Sequence, residues 1–325
     1  MRKLLIGALA LSISGVGSLH AEEVLSAVVA FPKPLDFTKS FLRYVDEVNK
    51  AGEGVVKIVV QGGPEVIPPP EQGDAVRRGV VDMQYGPATY YLGAFAVADA
   101  MVGSNLSPVE TRANGGLDML GQAFTDEMGV HLLGHFDTGI PFHLYLVDEP
   151  KRTDEGAIDL TGLKLRSQPI YREFFEKMGV TTVSIPVPEV YTALERGTVD
   201  GLGFPLVAVM DLGWHEHFNY RIDPPFFQTD LVTIVNQAKW DSLSDEVKAI
   251  LQDTAIAYEK TSYDFFQTYQ QELDQKMRDA GITVIDLEGD VGAAFAASGY
   301  ETAWERFAAK DAAAAGAFRE KFYQE

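Results

Sequence analysis

Cysteine is absent from all 325 residues of the chain. That removes disulfides, thiolate nucleophiles and cysteine-ligated metals together, so stability has to come from a packed core. Basic residues are scarce as well: 27 Lys and Arg stand against 47 Asp and Glu, for a formal net charge of −20. Such a surface repels nucleic acid and anionic lipid headgroups. It also repels any anionic ligand at long range, so an anion would need a local cationic grip. Long hydrophobic runs are missing after the first twenty residues, and no later segment approaches the roughly 20 apolar residues of a membrane-spanning helix. There is no P-loop, no Gly-x-Gly-x-x-Gly and no Gly-x-Ser-x-Gly elbow, which leaves common nucleotide and serine-hydrolase chemistry without a motif. Heptads, Gly-X-Y periods and repeated blocks are missing too, which excludes coiled coil, collagen and solenoid.

What is present begins with an export signature. Met1-Arg2-Lys3 is basic, Leu4 to Ile13 is apolar, and small residues lead to Ala21 before Glu22-Glu23. This reads as a secretory signal over 1–21, cleaved after Ala21, so the mature chain is expected to be soluble and exported. Its removal takes two basic residues and no acidic one, so the mature chain is more negative by two.

The whole chain is 46% hydrophobic, which suits one large or two medium globular domains. Apolar strand-like runs at Val24–Ala30, Val55–Val60 and Val80–Tyr85 alternate with helical spacing over 36–50 and 71–78. This β-α-β-α-β order predicts a parallel sheet wrapped by helices. The pattern resumes at 130–136, 142–147 and 163–166, with helices over 170–178 and 188–197 and a further strand over 230–235. After Ser244, a good N-cap followed by Asp245 and Glu246, neither Pro nor Gly occurs until Gly281. That predicts one helix of about 36 residues, roughly 54 Å long, which outreaches a single domain and should brace two. The expected fold is therefore α/β with two lobes and a long bracing helix. The first lobe is placed at 22–143 plus 230–260, the second at 144–229 plus 282–325, and the long helix at 244–281.

Metal-binding spacings are weak. His131 and His135 lack the Glu of a His-Glu-x-x-His helix, the two histidines of His215-Glu216-His217 diverge on a helix, and Asp286-x-Glu288-x-Asp290 lacks the glycine and final glutamate of a calcium loop. No metal and no cofactor is expected. Arg166 is more informative. It ends a short apolar strand before Pro169, and the carboxyl ends of strands face the ligand crevice of open α/β sheets. Its planar fork can hold a carboxylate through two parallel hydrogen bonds. Residue chemistry alone slightly favours an ordinary surface ion pair, since most arginines are that.

The stretch LTGLKLR (160–166), a helix ending Met178-Gly179, and IPVPEVYTALERGTVDG (185–201) together resemble the solute-binding proteins of TRAP (tripartite ATP-independent periplasmic) transporters, the C4-dicarboxylate-type family. GGPEVIPPPEQGDAVRRGVVDMQYG (62–86) is similar to the same family's first-lobe segment, and the likeness runs over about 22–325. The resemblance implies a two-lobe periplasmic binding protein fold, a small organic acid as ligand, and small and large integral membrane subunits as partners, with no nucleic acid and no enzymatic activity. It matches Arg166 to the carboxylate clamp. It places Phe204 at a ligand contact where relatives tend to be polar, which together with Val187 suggests a compact monocarboxylate such as a 2-oxo or hydroxy acid. It offers His143 as the neighbour of the clamp where a second cation is sometimes found, and Tyr85 and Phe31 as first-lobe cleft positions. Trp214 is a further candidate only because aromatics are frequent in binding clefts. Two other readings remain: the receptor of an ATP-driven importer or sensor, and an exported lyase or hydrolase using Asp or Glu as general base.

Overall fold

The computed structural model describes residues 21–324, so the export signature over 1–21 lies, except for Ala21, outside the described residues. Four strands come first: β1 (Glu23–Val29), β2 (Val56–Gly62), β3 (Met83–Pro87) and β4 (Val130–His135). The chain then enters β5 (Pro141–Leu146), a two-strand flap of β6 (Lys151–Arg152) and β7 (Ile158–Asp159), and β8 (Lys164–Ser167). It continues through β9 (Thr181–Ser184), β10 (Gly201–Pro205) and β11 (Tyr220–Gln228) before returning in β12 (Leu231–Asn236) and ending with β13 (Thr283–Asp286). One sheet has the order β2-β1-β3-β12-β4 and the other β13-β11-β5-β10-β8-β9. Two sheets with helices around them make a two-lobe α/β molecule.

The parallel sheet expected from the alternating pattern is only partly realised. β1 runs parallel to β2 and β3, and β10, β8 and β9 run parallel to one another. β12 is antiparallel to β3 and β4, and β5 is antiparallel to β10 and β11. These are the strands on which the chain passes between lobes. A strand that arrives from the other lobe, with no crossover helix to reverse it, enters its sheet in the opposite direction. β11 escapes the periodicity because Pro224 and Pro225 interrupt it; the register slips between Ile222 and Phe227, and the prolines occupy that irregularity.

The long helix is Asp245–Asp279, 35 residues, with the Ser244 side chain accepting from the Val247 N–H at its start. Its contacts follow its length. Tyr258 donates to the Ser40 carbonyl (2.7 Å) and buried Glu259 takes both Arg112 nitrogens (2.9 and 2.7 Å) in the first lobe. Gln267 donates to the Gly139 carbonyl between the sheets (3.1 Å), and Asp274 pairs with Arg221 of β11 in the second (2.6 Å).

The boundaries shift in two places. His143 belongs to β5 and hence to the second sheet, because the chain has already crossed by Pro141. The last helix, Ala312–Phe322, packs with the first lobe: Phe318 and Phe322 join Leu117, Leu120 and Phe124 in one core cluster. The helix before it, Gly289–Lys310, spans the gap, with Phe295 against Phe226 in the second lobe and Trp304 donating to the Gly103 carbonyl (2.9 Å) in the first. Grouping all of 282–325 with the second lobe therefore does not fit, since the apolar face of the final helix needs a partner that only the first lobe supplies.

Candidate ligand-binding cleft

The segments that leave strand ends converge between the sheets, as the crevice rule for open α/β sheets anticipates. Phe31 follows β1; Thr89 and Tyr90 follow β3; Gln168 follows β8; Phe204 and Pro205 end β10; Asp230 lies on the crossing from β11 to β12. They line a hollow of about 480 Å³ whose other walls include Phe37, Phe142 and Tyr171. A second hollow of about 1190 Å³ shares Phe31, Thr89, Tyr90 and Gln168 and opens past Pro64, Pro69, Val187 and Pro188. The two form one cleft, aromatic at its inner end and rimmed with prolines outside.

Arg166 has no exposed surface and lies directly behind Tyr171 and Phe204, two residues that line the hollow. The residue is held on β8 between Leu202 of β10 and Val183 of β9. Nε donates to the Ile185 carbonyl (3.0 Å) and Nη1 to the Tyr171 hydroxyl (2.7 Å), while Nη2 has no partner among the described residues. The guanidinium carbon lies 5.3 Å from the centre of the Phe204 ring, within cation–π range. None of its hydrogen bonds goes to a carboxylate, so a buried cation is left without a counter-ion, a costly arrangement unless something else supplies one. Burial pushes the Tyr171 hydroxyl above its ordinary value, while the adjacent guanidinium pulls it back.

The remaining expected residues are placed as follows. Phe204 and Phe31 line the cleft. Trp214 is buried behind Phe204, ring centres 4.8 Å apart, and supports that ring without reaching the hollow. Tyr85 does not face the cleft: its ring stacks on Phe41 (4.9 Å) inside the first lobe and its hydroxyl donates to Asp137. β3 still runs through the core at that point, and reaches the cleft only with Pro87, Thr89 and Tyr90. His143 is no second anchor either. Its Nδ1 lies 2.8 Å from Asp223, which Arg221 also holds through two hydrogen bonds (2.9 and 2.8 Å). Although burial raises it, His143 and Arg221 keep the Asp223 carboxyl down at about 2. The neighbouring Phe142 reaches the hollow instead.

Sequence reasoning missed Tyr90, Tyr171, Gln168 and Asp230. Asp230 is 2% exposed and accepts the Thr89 N–H (2.7 Å); burial raises its carboxyl to about 6. A lone acid heading the apolar run Leu231–Val235 was a usable signal, since acids rarely sit inside sheets without a purpose. Tyr90 feels both charges. Burial pushes it up to about 12, with Arg166 pulling it down and Asp230 raising it further. Among the described residues no three His, Asp or Glu side chains gather as a metal site, and no helix is long and apolar enough to cross a membrane.

With that geometry in hand, residues 154–311 match the family described as bacterial extracellular solute-binding protein, family 7. Over that stretch, just under half of its length, the chain is similar to that family of solute-binding proteins. Among curated relatives, the 2,3-diketo-L-gulonate-binding periplasmic protein of Escherichia coli K12 is 26% identical over 220 residues, 66% of each chain. The chain spans 66%, 48% and 51% of the lengths of the first three curated relatives it matches. Among solved structures, a Bordetella pertussis extracytoplasmic solute receptor binding pyroglutamic acid superposes with TM-score 0.80 at 20% identity, covering 93% of this chain and 99% of that one. A TRAP periplasmic solute-binding protein of Desulfovibrio salexigens with bound orotic acid gives TM-score 0.79 at 19% identity, with the same coverages. The two-lobe fold is thus common to this chain and these TRAP solute-binding proteins. The matched stretch contains Arg166, Gln168, Phe204 and Asp230, whereas Phe31 and Tyr90 lie before it.

Proposed function

We propose that the protein is a receptor, not an enzyme, that encloses a small organic acid between its lobes and delivers it from the periplasm to TRAP membrane subunits. The observation that carries this reading is Arg166: a fully buried guanidinium beside an aromatic-walled hollow, with one nitrogen unpartnered and no carboxylate bound to it among the described residues. A ligand carboxylate completes it. In the low dielectric of a closed cleft that pair is stronger than in water, which offsets the long-range repulsion from a net charge of −20.

Both lobes line the hollow, Phe31 and Tyr90 from the first and Gln168 and Phe204 from the second. A bound acid therefore favours the closed arrangement, in which both sets of contacts exist, over an open one. The crossings at 136–140 and 229–230 are where such a motion would turn. Membrane subunits that recognise the closed form would read occupancy. The apolar rings around Arg166, and Val187 at the outer rim, favour a compact acid over a polyhydroxylated one. The two superposed receptors are named for compact ring acids, which supports the same class, whereas the curated relative is named for a sugar acid and supports only the broader class of small organic acids.

A thermal-shift screen of small carboxylates identifies ligands, because selective binding raises apparent stability by mass action. Calorimetry on Arg166→Ala then tests the anchor. The variant should lose about 2–5 kcal/mol of binding free energy, the cost of removing one partner of a desolvated charge pair. Unchanged affinity overturns the assignment.

A further inference from the structure

The cleft holds a second buried charge-bearing group whose needs the carboxylate clamp does not meet. Asp230 is 2% exposed, lines the same hollow as Phe204 and Tyr171, and is the acid that heads β12. Its Oδ2 accepts the Thr89 N–H (2.7 Å), and no Lys, Arg or His forms an ion pair with it among the described residues. Asp99, also an acid, makes its ionisation harder. A carboxyl in such a place is costly to bury unless its lone pairs are filled, and the donors of Thr89 with the residue's own N–H do not fill all four acceptor sites. Asp230 and Tyr90 line the hollow together with Phe204, whose ring lies 5.3 Å from the Arg166 guanidinium, so the two charged groups flank one cavity.

We propose that Asp230 is the second anchor of the cleft and selects, among small carboxylates, those carrying a hydrogen-bond donor (a ring N–H or a hydroxyl) away from their carboxylate. This rests on the reading of the cleft as an organic-acid site. A flat acid fits best: its carboxylate meets Arg166, its faces meet Phe204 and Tyr90, and its far edge donates to Asp230. An acid with a bare hydrocarbon edge leaves the remaining acceptor sites of Asp230 dry and unfilled. Sites built to hydrogen-bond a polar group reject the analogue that lacks it, for that reason.

Calorimetry on the mature protein with three matched pairs tests this: 3-hydroxybenzoate against benzoate, pyroglutamate against cyclopentanecarboxylate, and 3-hydroxybutyrate against butyrate. In the wild type the donor-bearing member of at least one pair should bind about tenfold tighter or more. Asp230→Ala should bind both members of that pair alike while keeping its dependence on Arg166, and Asp230→Asn, which preserves shape and an acceptor for Thr89, should fall between. The wild-type comparison needs no variant, so a folding defect in either does not blunt the test. Equal affinities within every pair, or a preference that survives Asp230→Ala, overturns the role of Asp230. If pairs bind without preference yet lose affinity in Arg166→Ala, only the inference about Asp230 falls. If no acid binds and Arg166→Ala changes nothing, the organic-acid reading falls and this inference with it.

Discussion

At the scale of single residues, the role proposed for Arg166 follows from what is missing around it. Ile185 and Tyr171 fix two of its nitrogens and leave the third unpartnered, so the side chain is oriented before any ligand arrives. A lysine cannot replace that fork. It offers one point charge, and it could not hold Ile185, Tyr171 and a ligand together in the same geometry. Arg166→Lys should therefore weaken carboxylate binding by about tenfold or more, measured by calorimetry, with circular dichroism showing the fold retained. The sequence singled out this residue, because a strand end followed by Pro169 and a family motif both pointed at it. It could not separate His143 from Phe142, one residue apart. Asp223, eighty residues later, claims the histidine, and no local pattern records that.

Among elements, the motif Val199-Asp200-Gly201 has a packing reason that a string of letters conceals. Asp200 accepts the Lys164 N–H (2.7 Å) and donates its own N–H to the Lys164 carbonyl (2.7 Å), locking β10 beside β8. At Gly201 a β-carbon would stand 2.2 Å from the Tyr145 carbonyl oxygen of β5, a clash with backbone that no rotamer relieves. Gly201→Ala should cost about 2 kcal/mol or more of stability in urea unfolding, in the range of overpacked cores, and should loosen the strand that presents Phe204. The helices over 36–51 and 245–279 were legible because their apolar spacing and caps agree, as was the strand carrying Arg166. β11 was not, since a strand interrupted by two prolines carries no periodic signature. Nor was the antiparallel entry of β12, which depends on where the chain had been.

For the whole molecule, the crossing between lobes carries its own titrating group. Asp137 has a positive φ of 51° and is 1% exposed; Ser40 donates to it (2.7 Å), as does Tyr85, and its N–H reaches Ser262 of the long helix (3.1 Å). Its carbonyl accepts from Thr229 on the other crossing (2.5 Å). Burial raises its carboxyl to about 6, against the hydrogen bonds from Tyr85, Ser40 and Ser262 and the charge of Arg43, all of which lower it; Tyr258 completes the ring of neighbours. The folded-state value lies above the ordinary 3.8, so the folded protein binds this proton more tightly. Its contribution to stability is then full below about pH 4 and is lost as pH rises through about 6. Asp137→Asn keeps a residue tolerant of positive φ and removes the charge. Relative to the wild type, the variant should gain on the order of 1–3 kcal/mol between pH 4.5 and pH 7.5 in chemical denaturation. A difference independent of pH would show that Asp137 does not titrate there.

The sequence by itself determined the chemistry available: no thiols, an excess of acid, apolar runs for two sheets, a long uninterrupted helix, and a guanidinium at a strand end. These are properties of composition and of short-range spacing, which act before the chain is compact. Tertiary structure decided which side chains share the cleft. Tyr85 and His143 were drawn off by Asp137 and Asp223, while Tyr90, Tyr171 and Asp230 were brought in from the ends of separate strands. The reason is that burial and pairing are settled between residues far apart in the chain, and only the closed sheets fix which of them are neighbours.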